Sequence, residues 1–460
     1  MNTRFLVHTI LAVASLAAGT ASAADLKDVY ERALTNDPLI READANRLAT
    51  RESRPQAIAA LLPQVNADGT WYDTVDSNST GTFVAPNVPL TPDVRNFDGD
   101  QESWNLSLRQ SIFSWESWAT LKRANAERAQ AEADYLVAQQ DLVIRTAAAY
   151  FNVLAARDTL EAGQAAHDAI GRQLEQSEKR FEVGLIAVTD VQDAKAAFDQ
   201  ATAVLIQAKR NLATSGEILR ELTGDIWESL ERPGYDMPLA SPDPESPDDW
   251  VKLAMDQNAS LISSRIASDI TRANVNVERG GHIPSVDFVV NRGFNETNGV
   301  LNGTTEGNTA DRGHDTVYGV QVTVPIFSGG LTNSRVRQAE YRNIAARERL
   351  ERTARETERS TRDAYLGVNS EVARVKSLKQ AVESAQTALE ATEAGYEVGT
   401  RTSVDVLQAR QRLFQSQTDF ARSRYDYLLN VLRLQQAAGT LDRTGLEEIN
   451  ALLSESVTVR

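Results

Sequence analysis

The 460-residue chain contains no cysteine and only four histidines, which removes several kinds of site from consideration. Without thiols there can be no disulfide framework, no thiolate metal site and no lipid on an N-terminal cysteine. The histidines are isolated, and no two have the i, i+4 spacing of helical metal ligands; they are His8, His167, His282 and His314. We therefore predict neither a metal nor a cofactor.

The motifs of common enzyme classes are also missing. The chain has no G-x-S-x-G, no H-E-x-x-H and no P-loop. Asp98-Gly99-Asp100 resembles a fragment of a calcium loop without the remaining ligands, so a polar loop is the simpler interpretation. The 48 basic residues are outnumbered by 64 acidic ones, a formal charge of −16, which disfavours nucleic acid as a partner. The sequence predicts no enzymatic activity.

The first 23 residues have the pattern of a secretory signal peptide (1–23). Arg4 precedes an apolar run from Phe5 to Ala18, and Ala21-Ser22-Ala23 matches an A-x-A cleavage site. A membrane anchor is the alternative, but the run is shorter than the ~20 residues that a span requires. We therefore expect an exported chain that begins after Ala23 and has no transmembrane helix.

A stretch of the first half of the chain returns in the second half without a gap. Residues 180–195, RFEVGLIAVTDVQDAK, correspond to residues 395–410, GYEVGTRTSVDVLQAR, at an offset of 215. The same offset relates Tyr150 to Tyr365 and Gly224 to Gly439. A constant spacing over many positions indicates an internal tandem duplication. The predicted organisation is a first structural repeat (24–224), a linker (225–249), a second repeat (250–440) and a C-terminal tail (441–460).

Four segments that alternate apolar and polar residues are predicted to be strands, at about 64–74, 103–113, 285–294 and 317–327. Stretches rich in Ser, Thr, Asn and Gly, about 76–99 and 295–315, are predicted to be loops. Each strand has about the ~9–11 residues with which a barrel strand crosses a bilayer. Four strands cannot close a membrane barrel, and an open sheet edge cannot stand in lipid. In a membrane the chain must therefore oligomerise, as two, three or more copies.

The rest of each repeat is helical by composition. Segments at about 114–179 and 332–394 contain no proline, and each is predicted to be one helix of about 100 Å at ~1.5 Å per residue. A helix of that length needs a partner along its side. Shorter helices would fill that role, end to end, at about 25–60 (interrupted before Pro38), 188–223, 250–281 and 403–438. Helical turns are predicted at 181–190 and 396–405.

These segments resemble a known family. The two turn motifs, the LLPQV that begins the first strand and IFSGGLTNSRVRQAEY are strongly similar to the TolC family of outer-membrane channel-tunnels, over essentially the mature chain. The resemblance implies an α+β membrane protein. It would be a homotrimer with one twelve-stranded outer-membrane β-barrel, four strands per chain, continued by an α-helical coiled-coil tunnel across the periplasm. It also implies two partners, a periplasmic adaptor (membrane fusion) protein and an inner-membrane RND, ABC or MFS transporter.

Residues that recur in both turns suit a structural role. Gly184 and Gly399 stand where a helix must reverse, a conformation that glycine adopts without penalty. Asp190 follows Thr189, and Asp405 has the equivalent place in the second turn. A short polar residue at a helix start can cap free backbone amides. A capping role and a functional role explain the presence of Asp190 equally well.

Residues that differ between the turns are more informative, because the fold does not require the difference. Tyr396 stands where the first turn has Phe181, and Arg401 stands where it has an isoleucine. By resemblance, both positions belong to the constriction that closes the tunnel. Arg401 would bond Thr189 and Asp190 of a neighbouring hairpin, and Tyr396 would join that network. The alternative is that Arg401 is a solvated residue without a task.

The resemblance also assigns an acidic ring at the tunnel entrance. Asp405 matches the first of its two aspartates, but the second position is Gln408. A ring with half of its acidic groups should bind multivalent cations less tightly. Lys179 stands where many relatives have a neutral amide, which would alter the closing network.

We therefore expect a bacterial outer-membrane protein that extends into the periplasm and contacts outer-membrane lipid. Its expected function is that of an exit duct for tripartite efflux or type I secretion, opened at its periplasmic tip by a transporter and an adaptor. The alternative is a non-conducting structural coiled coil, or an adhesin, anchored by a small oligomeric barrel. Ion conduction distinguishes the two.

Overall fold

The computed structural model describes residues 23–83, 91–303 and 307–459, so the predicted signal peptide lies outside it apart from Ala23. Within these ranges the chain forms ten helices: α1 (Leu26–Asn36), α2 (Pro38–Arg51), α3 (Ser53–Ala59), α4 (Trp115–Glu182), α5 (Val188–Thr223), α6 (Pro247–Gln257), α7 (Ala259–Gly280), α8 (Leu331–Glu397), α9 (Ser403–Ala438) and α10 (Arg443–Asn450). It also forms six strands: β1 (Gln64–Phe83), β2 (Thr91–Phe113), β3 (Ser229–Pro233), β4 (Ser285–Gly303), β5 (Gly307–Thr323) and β6 (Leu453–Thr458).

The chain divides into two compact units. The helical unit comprises residues 23–41, 138–254 and 359–459, and the sheet unit comprises residues 42–83, 91–137, 255–303 and 307–358. Helices α4 and α8 have residues in both units. In the described part of the chain, no helix has the length and hydropathy that a bilayer-spanning helix requires.

The sheet unit contains a four-stranded antiparallel sheet in the order β1-β2-β4-β5. Each hairpin pairs the two strands of one repeat, and β2 pairs with β4 to join the repeats. One ion pair crosses that junction, where the Arg109 guanidinium lies 2.6 Å from the buried carboxylate of Asp287. Among the described residues, β1 and β5 each have one edge that pairs with no strand.

The strands extend further into the hairpins than the sequence predicted. Their hairpin ends lie at 83, 91, 303 and 307, instead of the predicted 74, 103, 294 and 317. The predicted loops are therefore largely paired backbone, apart from 84–90 and 304–306, which lie outside the described residues. Polar strands show no apolar alternation although their backbone groups pair equally well, so periodicity does not detect them. β5 ends at Thr323 rather than at 327, because Pro325 has no N–H for the ladder.

The helix bounds agree closely with the sequence. α5 and α9 occupy the predicted ranges, and α4 and α8 extend a few residues beyond theirs. α5 and α9 both end at a glycine in the left-handed conformation, Gly224 (φ 77°) and Gly439 (φ 81°). Two predicted helices are subdivided. The first is broken at Asp37, as expected, and again after α2, while Asn258 separates α6 from α7 by capping the latter.

The linker and the C-terminal tail are more regular than predicted. β3 of the linker pairs antiparallel with β6 of the tail, and Leu230 of β3 is fully buried. The linker is further held by the two tyrosines that recur at the repeat offset. Tyr150 donates a hydrogen bond to the carbonyl oxygen of Glu231, at 2.5 Å, and Tyr365 donates to the carbonyl oxygen of Glu245. The equivalent tyrosines of the two repeats therefore both hold the linker that joins the repeats.

A buried carboxylate gathers charged groups from several elements of the helical unit. Asp158 on α4 accepts hydrogen bonds from Arg232 of β3 (3.0 Å) and from Arg424 of α9 (3.4 Å). Tyr425 donates to the same carboxylate at 2.6 Å, and burial, with the nearby charge, raises the pKa of Tyr425 well above its usual range. The Asp158 and Arg424 side chains are 9% and 8% exposed. Both charged groups are therefore largely removed from water, and each depends on the oppositely charged and polar groups around it.

We expect Asp158→Asn to lower the free energy of unfolding by about 3–5 kcal/mol, because it leaves buried Arg424 without its partner. The matched control is Asp363→Asn, which removes a carboxylate from an exposed pair with Arg359 on α8 and should change stability little. Urea unfolding, followed by the helical circular dichroism signal, compares the two. Equal losses would contradict the importance of the cluster.

Candidate functional site

Two helical reversals, the first tip turn (181–190) and the second tip turn (396–405), contain nearly all the predicted site residues. In the first, Gly184 has φ 77° and its N–H donates to the carbonyl oxygen of Phe181 at 2.9 Å. The N–H of Leu185 donates to the carbonyl oxygen of Arg180, also at 2.9 Å. This pair of bonds is the Schellman arrangement, which requires a left-handed residue at the glycine position.

The second tip turn repeats this arrangement. Gly399 has φ 79° and donates to the carbonyl oxygen of Tyr396 at 3.2 Å, while Thr400 donates to that of Gly395 at 2.8 Å. Any other residue would hold a strained backbone at Gly184 or Gly399. The structure thus places both glycines at the reversals, as the sequence predicted.

Asp190 and Asp405 are the third residues of the helices that follow the turns. The Asp405 carboxylate accepts the Thr402 N–H at 2.9 Å, and the Thr402 hydroxyl accepts the Asp405 N–H at 3.2 Å, which closes a capping box. Asp190 accepts the Ala187 N–H at 3.3 Å, but the alanine side chain has no oxygen, and the Asp190 N–H donates to the Ala187 carbonyl oxygen instead, at 3.1 Å. The cap residues are therefore Ala187 and Thr402. Thr189 is the second residue of α5.

The capping bond also affects the charge at the predicted entrance ring. Donation from the Thr402 backbone holds the pKa of Asp405 below its ordinary value of 3.8. The bond therefore stabilises the start of α9 above that pH, and the contribution is lost as the pH falls through the lower folded pKa. Gln408, the other predicted ring position, is exposed and uncharged. It lies beside a groove of about 300 Å³ between α4, α5 and α9.

The two predicted cations have different surroundings. Lys179 pairs along α4 with Glu175, at 2.6 Å, and the hydrogen bond that it donates to that carboxylate raises the pKa of Lys179. The stem of Arg401 folds over Gly395, where a β-carbon would lie 2.8 Å from Arg401 Cγ. Within the described chain the Arg401 guanidinium has no hydrogen bond or ion pair, so its predicted bonds to Thr189 and Asp190 are not made inside one protomer.

Tyr396 contacts a residue that the sequence analysis did not select. The guanidinium of Arg180, at the end of α4, lies 4.9 Å from the centre of the Tyr396 ring, near the end of α8. The Tyr396 hydroxyl is buried and has no hydrogen-bond partner in the part of the chain that the structure describes. Its ring packs against a small cluster of Leu389, Val406 and Ala409. Comparison of the two repeats distinguishes Arg180, because the equivalent residue of the second repeat is Gly395.

The two tip turns also differ in the character of their surfaces. In the first, Val183 and Leu185 are 69% and 72% exposed, and Phe181 and Val188 are also exposed. The second presents polar residues, Thr400 to Thr402, after Val398. No group of three or more His, Asp or Glu side chains converges as metal ligands in the described ranges. The first tip turn therefore offers an apolar surface, and the second a polar one.

Comparison with known proteins decides the family. The profile of the family described as outer membrane efflux protein matches residues 29–225 and 250–440, which is most of the chain and leaves out the linker. The chain belongs to the outer membrane efflux protein family. TolC of Vibrio cholerae serotype O1 is 37% identical over 441 residues, covering 95% of this chain and 96% of that protein.

Two further known proteins are similar to the chain at lower sequence identity. The alkaline protease secretion protein AprF of Pseudomonas aeruginosa is 29% identical over 440 residues, covering 94% of this chain and 88% of that protein. The crystal structure of the Campylobacter jejuni CmeC outer membrane channel covers 99% of this chain and 98% of that one, with a TM-score of 0.70 and 17% identity. The fold is thus shared with an outer-membrane channel.

The family membership places the chain in the outer membrane, from which channels of the TolC type extend into the periplasm. The chain is an outer-membrane exit duct for efflux and type I secretion. These findings favour the duct over the structural coiled coil or adhesin. They do not bear on individual tip residues, whose roles stay predictions.

The unequal caps predict opposite effects of two substitutions. Thr402→Ala removes the acceptor for the Asp405 N–H and should destabilise the start of α9 by about 1 kcal/mol. Ala187→Thr supplies a side-chain acceptor where the Asp190 N–H now uses the Ala187 carbonyl oxygen, and it should stabilise the start of α5. Hydrogen exchange of tip peptides, read by mass spectrometry, should therefore become faster in the second turn of one variant and slower in the first turn of the other. A faster exchange in both would show that the caps have been misassigned.

Proposed function

We propose that three copies of this chain form one duct, whose barrel consists of three four-stranded sheets. The observation that carries this proposal is the open sheet, because β1 and β5 each present an edge without a partner strand in the described chain. An unpaired edge is not tolerated in lipid. Pairing β5 of one copy with β1 of the next closes the sheet without altering any strand. Two copies would also reach eight strands, and membership of the TolC family supports three.

The long helices would form the periplasmic part of the duct. α4 and α8 contain 68 and 67 residues, so each measures about 100 Å at ~1.5 Å per residue. In a threefold assembly, six such helices and their shorter partners would enclose a continuous tunnel. The duct itself is passive, and the energy for transport comes from its partners.

The proposed partners are a periplasmic adaptor protein and an inner-membrane transporter of the RND, ABC or MFS class. The exposed apolar side chains of the first tip turn, Val183 and Leu185, supply a surface that a protein partner would bury. The likeness to TolC supports service in efflux pumps, and the likeness to AprF supports a role in type I secretion.

The gate is proposed to lie at the tip turns and to act between copies. Among the described residues the Arg401 guanidinium has no hydrogen bond or ion pair, and it would donate to Thr189 and Asp190 of the neighbouring copy. Asp405 of three copies would surround the entrance, and Gln408 would make that ring less attractive to multivalent cations. Opening would then consist of breaking these bonds as a partner draws the turns outward.

Single-channel conductance in a planar bilayer tests both the duct and the gate. The native protein should show a small resting conductance, and Arg401→Ser should increase the open population by about tenfold for each charge-assisted hydrogen bond lost. The control is Arg352→Ser, which removes an exposed arginine of α8 outside the tip turns and should leave the conductance as in the native protein.

Each pattern of results has a definite meaning. A rise in Arg401→Ser alone supports duct and gate together. Equal conductance in the native protein and in Arg401→Ser contradicts the role of Arg401 but leaves the duct. If the native protein, Arg401→Ser and Arg352→Ser all show no conductance, in samples that are folded and inserted in the bilayer, the proposed duct is contradicted.

A further inference from the structure

Most of the exposed apolar side chains of the four-stranded sheet lie on one of its faces. They occupy alternate positions of their strands and stand beside one another across the sheet; examples are Val65, Leu106, Phe113, Phe288, Val320 and Val322. The opposite face is polar, with Asn66, Asn105 and Asn291. One apolar and one polar face suit a barrel wall that separates hydrocarbon from water.

The apolar face has the height of a membrane. Phe113 follows Trp104 by nine positions along β2, which is about 31 Å at ~3.4 Å per residue. Strands of membrane barrels are tilted by ~35–45°, so this length corresponds to a height of about 23 Å. The apolar band of such barrels is ~25 Å tall and has aromatic residues at both borders. Trp104 and Phe113 therefore mark the two borders of the band.

The border at Trp104 belongs to the outer leaflet of the membrane. It lies toward the hairpin ends of the strands, whereas Phe113 lies where β2 leads into α4. Channels of the TolC type extend from the outer membrane into the periplasm, and in this chain the long helices form the extension. The hairpin ends therefore point away from the periplasm.

A compact group of side chains lies at this outer border, on the apolar face. The ring centre of Phe294 lies 6.2 Å from that of Trp104 and 4.9 Å from that of His314, its neighbours on the adjacent strands. The guanidinium carbon of Arg312 covers the same ring at 5.3 Å. Phe294 is therefore only 7% exposed, although no other layer covers the sheet there. With Arg292, two positions before Phe294, these residues form the rim cluster.

Both arginines of the rim cluster have N–H groups that no other group of the described chain uses. The Nε of Arg312 lies 3.5 Å from the Glu296 carboxylate, but no oxygen in the described ranges accepts from its terminal nitrogens. Arg292 is exposed and has neither a hydrogen bond nor an ion pair among the described residues. An arginine at the edge of hydrocarbon extends its charge into the headgroup layer. There its planar guanidinium can bind a phosphate with two parallel N–H groups.

We propose that the rim cluster lies at the outer border of the bilayer and that Arg292 and Arg312 bind the phosphate groups of outer-leaflet lipid. The rings of Trp104 and Phe294 would lie at the level of the headgroups, where aromatic side chains are enriched. This inference rests on the proposed barrel, because the apolar face must contact lipid. It does not involve the tip turns.

Native mass spectrometry of the purified protein, with added diphosphoryl lipid A, tests the phosphate site. Arg292→Gln and Arg312→Gln should each weaken binding about tenfold, the effect of losing a hydrogen bond to a charged group. Glu296→Gln should strengthen binding, because its carboxylate competes with phosphate for Arg312. The control is Arg352→Gln, an exposed arginine of α8 outside the sheet, which should bind as the native protein does.

Two competitors identify what the arginines recognise. Monophosphoryl lipid A should bind more weakly than diphosphoryl lipid A, because one phosphate is missing. Inorganic phosphate at the same concentration should not displace the lipid, since it lacks the acyl chains that would lie on the apolar face. Displacement by inorganic phosphate would show a general anion site and would contradict lipid recognition.

The position of the border is tested separately, with single cysteines introduced into the cysteine-free chain. Val320→Cys and Ala310→Cys put an exposed thiol on the same strand and face, on opposite sides of the rim cluster. In vesicles that contain lipid A, a water-soluble maleimide should label Ala310→Cys faster by about tenfold or more, because hydrocarbon disfavours the reactive thiolate.

The outcomes separate the phosphate site from the proposed barrel. If both thiols react equally fast in the bilayer, the apolar face does not contact lipid, and the barrel is wrong together with the rim. If Ala310→Cys reacts faster but Arg292→Gln and Arg312→Gln bind lipid A as Arg352→Gln does, the phosphate site is wrong and the barrel stands. If Glu296→Gln does not strengthen binding, Arg312 is not a phosphate ligand.

Discussion

Backbone groups that are left unpaired in hydrocarbon cost several kcal/mol each, and the proposed assembly of the chain depends on this constraint. The four-stranded sheet leaves two edges, one on β1 and one on β5. A single chain therefore cannot complete the barrel that a membrane requires. Closing the edges with further copies arranges the chains around an axis, and the proposed contacts of Arg401 with another copy depend on that arrangement.

The duplication separates structural residues from residues with a special task. Groups present in both repeats build the fold. The glycines of the tip turns reverse the helices, and Tyr150 and Tyr365 hold the linker. Residues that occur in only one of the two repeats make the tip turns different from each other, and a gate can depend on that difference. Arg180 contacts Tyr396 in the other tip turn of the same chain, whereas the Arg401 guanidinium has no hydrogen bond or ion pair among the described residues.

Much of the helical architecture could be predicted from the sequence, because its signals are local. Long stretches without proline, together with Gly184 and Gly399 at the reversals, locate the ends of the long helices within a few residues. The number of strands in the sheet was predicted but their lengths were not, because polar hairpin segments pair without any apolar pattern. The pairing of β3 with β6 was missed because it joins short segments that are distant in the chain and have no periodicity.

At the tip turns, the sequence identified the right segments but not all of the contacts. The placement of Asp190 as a helix-capping residue was anticipated, whereas its partner Ala187 was not, since alanine contributes only backbone groups, its N–H and its carbonyl oxygen. The sequence did not predict the contact of Arg180, because a cation–π contact between two turns that are distant in the chain depends on how the helices pack. A neighbouring cation, Lys179, stood out by comparison with relatives, yet it pairs along its own helix with Glu175.

The central claim is that copies of this chain close one sheet and bring their tip turns together. Electron cryo-microscopy of the full-length protein in lipid nanodiscs tests it most directly. The account predicts three copies, continuous pairing between β5 of one and β1 of the next, and Arg401 within hydrogen-bond distance of Thr189 or Asp190 of the neighbouring copy. A different number of copies, or free β1 and β5 edges in the bilayer, would contradict it.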